Sequence, residues 1–131
     1  YMADHSLSHL ENLVRNLITK SGECEWVEFK VNNANPQDIG EYLSGLSNSA
    51  FLCDEPFAYL VYGVEDNSHE IVGTTFDFKN AKKGNEVLEN WLSRLLEPKI
   101  DFRANELEID GKRILLDLFH DLSSKFYGDP L

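Results

Sequence analysis

The strongest constraint on the fold is an apolar run in the middle of the chain, from Phe57 to Val64. The run is nearly continuous in aromatic and β-branched residues, and it lies between Pro56 and the polar stretch Glu65–Ser68. Such a run, bounded by turn-forming residues, is typical of a central strand. It therefore predicts that the chain is built around a β-sheet.

Three further segments repeat apolar residues at helical spacing and predict amphipathic helices. They are Leu7–Ile18, Asn35–Ala50 and Val87–Leu96. Asn35 is suited to cap the second helix, because its side chain can accept a backbone hydrogen bond while Pro36 occupies the first helical position. The third segment has the clearest periodicity and stops before Pro98, so its apolar stripe must pack on the sheet.

The remaining strands are predicted by alternation and by turn residues. Glu25–Val31 alternates between apolar and polar positions, and Ile71–Thr75 is predicted to return as a hairpin partner of the central strand. Leu107–Ile109 and Ile114–Phe119 flank Asp110-Gly111, a favoured two-residue hairpin turn. The resulting order, α-β-α-β-β-α-β-β, predicts an α+β fold in which helices pack against a mixed β-sheet.

Length and charge limit the function. The chain has 131 residues and a mass of 15.0 kDa, which fits one domain over residues 1–131. It carries 12 Lys and Arg against 23 Asp and Glu, a net charge of −11. This acidic excess disfavours a protein that coats DNA with its whole surface, because affinity for phosphates comes from cations. Contact with nucleic acid therefore requires a local basic patch or the help of a metal.

Other features of the composition suggest the cellular setting. The two cysteines, Cys24 and Cys53, form no pair or Cys/His cluster typical of disulfide frameworks or zinc sites. This cysteine usage fits a reducing cytoplasm. No apolar run reaches the roughly 20 residues of a membrane span, so we expect no membrane contact. The chain stops at Asp129-Pro130-Leu131 without an evident closing element, and we expect it to be the N-terminal part of a longer protein.

The most specific motifs lie in the first half of the chain. They are the strand Glu23-Cys-Glu-Trp-Val-Glu-Phe-Lys30, a helix ending near Ser47-Asn48, and Tyr62-Gly-Val-Glu-Asp66 followed by Ile71-Val-Gly73. In this order and spacing the chain resembles the AlbA-like domain shared with Schlafen proteins. One segment departs from that pattern: Ala50–Pro56 stands where the family usually has a glycine pair, and glycine permits close approaches that bulkier residues do not.

The resemblance implies two different functions. Bacterial proteins with this domain resemble predicted transcriptional regulators, in which it is an N-terminal DNA-binding domain ahead of an ATPase-like region. Relatives in the Schlafen branch use the fold as a metal-dependent nuclease that acts on structured RNA, with acidic residues as metal ligands. The matching positions here are Glu23, Glu28 and Asp66, which would hold Mg²⁺ or Mn²⁺. The regulatory role implies no cofactor.

Carboxylates are the ligands that hard cations prefer, so this acidic set can be tested against the pattern of the chain. If the first strand and the central strand are neighbours, Glu28 and the turn at Asp66 lie at one end of the sheet. Glu23 has the wrong parity to share a face with Glu28 in a straight strand, so convergence requires a bend near Gly22. The alternative is that all three are ordinary solvent-facing carboxylates.

A basic patch is the corresponding requirement for nucleic-acid binding. The candidate residues are Lys30, Lys79, Lys82, Lys83, Lys112 and Arg113, with Arg103 as an additional candidate. Lys79, Lys82 and Lys83 precede the third helix, whose first N–H groups can also meet a phosphate. The alternative is that these lysines only keep the loops soluble.

From these observations we expect a nucleic-acid-binding, specifically DNA-binding, regulatory domain of a bacterial transcriptional regulator. In this hypothesis the basic residues position phosphates, while downstream domains or partner subunits supply further affinity. Two alternatives remain open. One is a ribonuclease that uses Glu23, Glu28 and Asp66 to hold a divalent metal. The other is a protein-interaction module without nucleic-acid binding, which the charge of −11 favours and which could act as a homo-oligomer.

Overall fold

A computed structural model describes residues 2–19, 26–55, 57–95 and 100–121 of the chain. The helices in these ranges are α1 (Met2–Thr19), α2 (Pro36–Leu52) and α3 (Leu88–Leu95). The strands are β1 (Val27–Lys30), β2 (Ala58–Tyr62), β3 (Lys82–Lys83), β4 (Glu86–Val87), β5 (Ile100–Ile109) and β6 (Lys112–Asp121). None of the described helices is both long enough and apolar enough to cross a lipid bilayer.

Four strands form one mixed sheet in the order β1-β2-β6-β5. β1 runs parallel to β2, whereas the β2–β6 and β6–β5 pairs are antiparallel. The prediction of an α+β fold with a mixed sheet is confirmed. The apolar run also has its predicted place, because β2 lies between β1 and β6 and all five of its residues are buried.

Helices cover both faces of this sheet. On one face, α1 contributes Leu10, Val14 and Leu17 to a core that includes Val27, Phe29 and Val61. On the other face, α2 and α3 pack over alternate residues of the same strands. Members of this second core include Ile39, Leu43, Leu60, Tyr62, Leu88, Leu92, Leu115 and Phe119. β2 is therefore apolar at every position because each of its faces meets a helical layer.

Local signals place the start of α2 as predicted. The Asn35 side chain accepts a hydrogen bond from the Asp38 backbone N–H at 3.0 Å, and Pro36 is the first helical residue. This cap satisfies one of the donors that a helix leaves unpaired at its N-terminus. α2 consequently begins directly after the loop that follows β1, which brings Asn32 and Asn33 to the end of the sheet.

Two details of the predicted strand pattern are wrong. Ile71–Thr75 does not form a second strand of a hairpin with β2; a single bridge joins Ile71 to Val64. The reason is that β1 and β6 already occupy both edges of β2. The short β3–β4 hairpin was not predicted, because two-residue strands around a Gly84-Asn85 turn carry too little alternation to be recognised.

One end of the sheet collects several loops. β1 and β2 end there, and β6 begins there, since β1 is parallel and β6 antiparallel to β2. Gly63, immediately after β2, has φ of +107° and accepts hydrogen bonds from the N–H groups of Val72 and Gly73 at 2.8 and 2.9 Å. The loop that starts at Gly73 is thereby held against the start of β6, where the candidate site lies.

Candidate nucleic-acid interface

Three of the predicted basic residues lie on the β3–β4 hairpin and the turn before it. Lys79, Lys82 and Lys83 are all exposed, and Gly84 turns the hairpin with φ of +65°. The Lys83 ammonium lies 5.7 Å from the centroid of the Trp91 ring on α3, a cation–π contact. The hairpin thus projects two adjacent lysines from the surface, and Trp91 fixes one of them.

Arg113 has a structural task at the start of β6. Its Nε donates to Glu106 Oε2 at 2.9 Å, and its Nη1 donates to the carbonyl oxygens of Thr74 and Phe76 at 3.3 and 2.6 Å. The guanidinium therefore ties the loop that follows Gly73 to the β5–β6 hairpin. Its neighbour Lys112 is exposed, and within residues 2–19, 26–55, 57–95 and 100–121 it forms no ion pair.

Lys30 lies on β1 with its side chain on the α2 side of the sheet. Its Nζ is 3.3 Å from Glu28 Oε2 and 5.1 Å from the centroid of the Tyr42 ring. Burial acts to lower the pKa of Lys30, but the hydrogen bond to Tyr42 and the attraction of Glu28 outweigh it and raise this pKa. The ammonium is thus charged, half-buried and engaged within the protein, apart from the lysines of the hairpin.

The acidic candidates do not assemble into a cation site in the part of the chain that the structure describes. Glu28 is held by Lys30, and Asp66 is exposed on the turn that follows Val64. No group of three His, Cys, Asp or Glu side chains among the described residues is placed to hold a metal ion. Glu23 lies outside the described residues. The acidic set that includes Glu23 therefore stays a prediction, and no catalytic step is derived from it.

A model of the Schlafen AlbA_2 family matches residues 23–121 of the chain. The chain belongs to this family. The match extends well beyond the motifs that end at Gly73, and it includes α3, β5 and β6. Membership makes this a domain of a nucleic-acid-related family. No curated protein matches the chain.

Within this Schlafen AlbA_2 domain the structure brings the basic candidates together only in part. The loop of residues 74–81 leads from the start of β6, beside Lys112, to the hairpin with Lys82 and Lys83. Its one carboxylate, Asp77, accepts a hydrogen bond from Asn80 Nδ2 at 2.6 Å, and this bond lowers the pKa of Asp77. Lys112 and the hairpin lysines therefore lie at the two ends of one loop that carries little negative charge.

The sequence pattern missed a polar residue in the same region. Asn32 was interpreted only as part of a loop, yet its Oδ1 accepts hydrogen bonds from Thr74 Oγ1 and Thr75 N at 2.8 and 2.9 Å. The partners are more than 40 positions apart in the chain. No local spacing reports such a contact, although the run Asn32-Asn33 at a strand end was a signal that polar side chains were needed there.

A second unpredicted group is buried in the core between α2 and the sheet. Asp117 on β6 is 1% exposed, and neither of its carboxyl oxygens has a hydrogen-bond partner among the described residues. The same holds for the buried Ser47 Oγ on α2. Burial, and secondarily the charge of Glu89, raises the pKa of Asp117 to about 8. A carboxylic acid in this position is neutral at physiological pH.

Proposed function

We propose that this domain is a nucleic-acid-binding regulatory module whose contact residues are Lys79, Lys82, Lys83 and Lys112, here called the basic loop surface. In this proposal the lysines meet backbone phosphates and position the nucleic acid without chemistry. The family match supports a role connected with nucleic acid. The finer role that we propose is DNA binding within a bacterial transcriptional regulator.

The observation that carries the proposal is a contrast in how the cations are used. Each of the following is paired with a carboxylate at 3.3 Å or less: Lys30 with Glu28, Arg15 with Glu11 and Asp110, Arg94 with Glu86, and Arg113 with Glu106. Lys79, Lys82 and Lys112 are exposed and have no such partner among the described residues. In a chain with 23 acidic residues, cations left unpaired on and at the two ends of the loop of residues 74–81 are available to an external anion.

The size of this surface sets the expected strength of binding. Each phosphate contact changes the affinity about threefold between about 50 and 200 mM salt, so a few contacts give weak and strongly salt-dependent binding. The surrounding negative charge weakens it further. Specific binding would therefore need additional contacts, from a second copy of the chain or from downstream domains.

A salt titration tests the proposal directly. We expect a short fluorescently labelled DNA duplex to bind the protein at low salt and to dissociate as the salt concentration rises. Replacing Lys82 and Lys83 by Gln should reduce the ratio of the affinities at about 50 and 200 mM salt roughly tenfold, because two phosphate contacts are lost. Absence of binding by the folded wild-type protein at low salt would refute direct DNA contact.

A matched control separates local contact from the loss of overall charge. Ser44 and Asn48 are exposed on α2, an element that carries none of the lysines of the basic loop surface. Replacing both by Glu makes the net charge more negative by the same amount as the lysine variant. If the control weakens binding as much as the Lys82 and Lys83 replacements do, the lysines act only through the general field of the protein and the assignment of the surface is wrong.

A further inference from the structure

A groove of about 320 Å³ lies at the end of the sheet where β1 ends and β6 begins. One wall is formed by residues 72–75, the other by Gly111, Lys112 and Arg113, and Asn32 closes it. Gly73 has φ of +87°, and a Cβ added there would lie 3.4 Å from Lys112 Cβ. That distance is an ordinary van der Waals contact, so the two walls lie close together, and it is the positive φ that favours glycine at this position.

The orientation of the Asn32 amide follows from its partners. The Thr75 backbone N–H can only donate, so the Asn32 atom that faces it at 2.9 Å is the oxygen. The same oxygen accepts from Thr74 Oγ1 at 2.8 Å and from Thr75 Oγ1 at 3.3 Å. The Nδ2 group of Asn32 is left as the donor, and no described residue accepts from it.

The charges around the groove favour an anion. Lys112 is exposed, and no carboxylate among the described residues pairs with it. Of the three nearby hairpin carboxylates, Asp110 pairs with Arg15 at 3.2 Å and Glu106 pairs with Arg113 at 2.9 Å, while Glu108 lies opposite Arg113 rather than Lys112 in the strand register. The groove thus presents an ammonium and an amide donor, while its acceptors Asn32 Oδ1, Thr74 O and Arg113 O are already used within the protein.

We propose that this groove binds one phosphate group of a nucleic acid, with the Lys112 ammonium and the Asn32 Nδ2 donor as its contacts. The inference rests on the proposed function and adds to it the place where the backbone is held. Two donors across a narrow groove match an oxyanion, since a phosphate has several acceptor oxygens and no donor of its own when ionised. An internal phosphodiester and a terminal phosphate share this chemistry.

Two variants test the groove with little change to its walls. Asn32→Asp keeps an oxygen for Thr74 and Thr75 but replaces the Nδ2 donor by a second carboxylate oxygen, which repels an anion. Lys112→Gln removes the ammonium from an exposed turn. We expect each variant to reduce the ratio of the affinities for duplex DNA at about 50 and 200 mM salt about threefold, the effect of one lost phosphate contact. Asn48→Asp makes the same charge change as Asn32→Asp on exposed α2 and should leave the ratio unchanged.

The outcomes distinguish this inference from the proposed function. If the wild-type protein binds DNA and the two groove variants match Asn48→Asp, the groove assignment is wrong and the function stands. If the wild-type protein binds no DNA, the function fails, and the groove is judged by titrating inorganic phosphate while recording amide NMR shifts. Shifts confined to Gly73, Thr75 and Lys112 would support the groove, and their absence would refute it. Comparing duplexes with and without a 5′-phosphate identifies which phosphate the groove binds. If the 5′-phosphate raises the affinity and Asn32→Asp abolishes that gain, the groove binds a terminal phosphate; if it does not, the groove binds an internal phosphodiester.

Discussion

Replacing Asp117 by Asn should make the protein more stable at neutral pH, although Asp117 lies in the core of the sheet. The wild-type carboxyl is buried, and its pKa is raised from an ordinary value of 3.8 to about 8. Above about pH 4 the unfolded chain releases this proton while the native protein keeps it. The contribution of Asp117 to the free energy of unfolding is therefore highest below pH 4 and falls as the pH rises towards 8. Asn has the same shape and no proton to release.

The magnitude follows from the linkage between protonation and folding. Each rise of one pH unit between the two pKa values lowers the free energy of unfolding of the wild type by about 1.4 kcal/mol. At pH 7, about three pH units above the ordinary pKa of the carboxyl, the free energy of unfolding has fallen by about 4 kcal/mol. A buried amide without partners costs about as much as the protonated acid that it replaces. The Asp117→Asn variant should therefore match the wild type near pH 4 and exceed it by up to about 4 kcal/mol near pH 7.

Urea unfolding of both proteins at a series of pH values measures this effect. Groups that do not interact with Asp117 contribute equally to both curves, so the difference between the two free energies of unfolding reports Asp117 and the groups coupled to it. The titratable groups whose charges couple to Asp117 are Tyr62 on β2 and Glu89 on α3. Glu89→Gln removes a negative charge that helps to raise the pKa of Asp117. In a Glu89→Gln background, the stability difference between the Asp117→Asn variant and the protein that keeps Asp117 should therefore stop growing at a lower pH. Curves that run parallel from about pH 4 to 8 would show that Asp117 is solvated or partnered, and the reasoning would be refuted.

Three further predictions concern Gly63 and Arg113, at the end of the sheet, and Glu28 on β1. Gly63→Ala should destabilise the protein by about 3 kcal/mol or more in urea unfolding. A Cβ at φ of +107° would lie 2.6 Å from Ile114 Cδ1 and 3.0 Å from Arg113 O. An unchanged unfolding midpoint would contradict the positive φ and the close packing of Gly63. Arg113→Gln should increase amide hydrogen exchange at Phe76, since two carbonyl contacts of the loop are lost; unchanged exchange would mean that the loop is held by other contacts. Glu28→Gln should not affect DNA binding. The contrary result would come from incubation with transfer RNA: if the wild type cleaves it with Mn²⁺ but not with EDTA, and Glu28→Gln does not cleave it, the nuclease alternative is favoured.

Local sequence signals were sufficient for most of the secondary structure. The Asn35 cap, the Asp110-Gly111 turn and the apolar run of β2 each depend on neighbours within a few residues, and all three have the predicted role. The prediction for Ile71–Thr75 failed because it depended on a free strand edge. Whether β2 has such an edge is decided by β1 and β6, which are distant in sequence.

The candidate site was less predictable than the fold. Sequence reasoning selected Lys30, Arg113 and Lys112 as equivalent cations, because a lysine or arginine carries the same charge wherever it stands. In the structure Lys30 is engaged by Glu28 and Tyr42, and Arg113 holds a loop, while Lys112 faces solvent. Which cations are available to a ligand depends on partners brought close by the fold.

The sequence alone determined most of the helices and strands and pointed to the family, because apolar periodicity, caps and motif order are encoded between near neighbours in the chain. The tertiary structure alone decided which polar groups meet. It placed Asn32 against Thr74 and Thr75, and it buried Asp117 on the same face of β6 as Leu115 and Phe119, in a strand whose two faces both meet helices. Hydrogen bonding and desolvation act through space, so neither result can be calculated from positions along the chain.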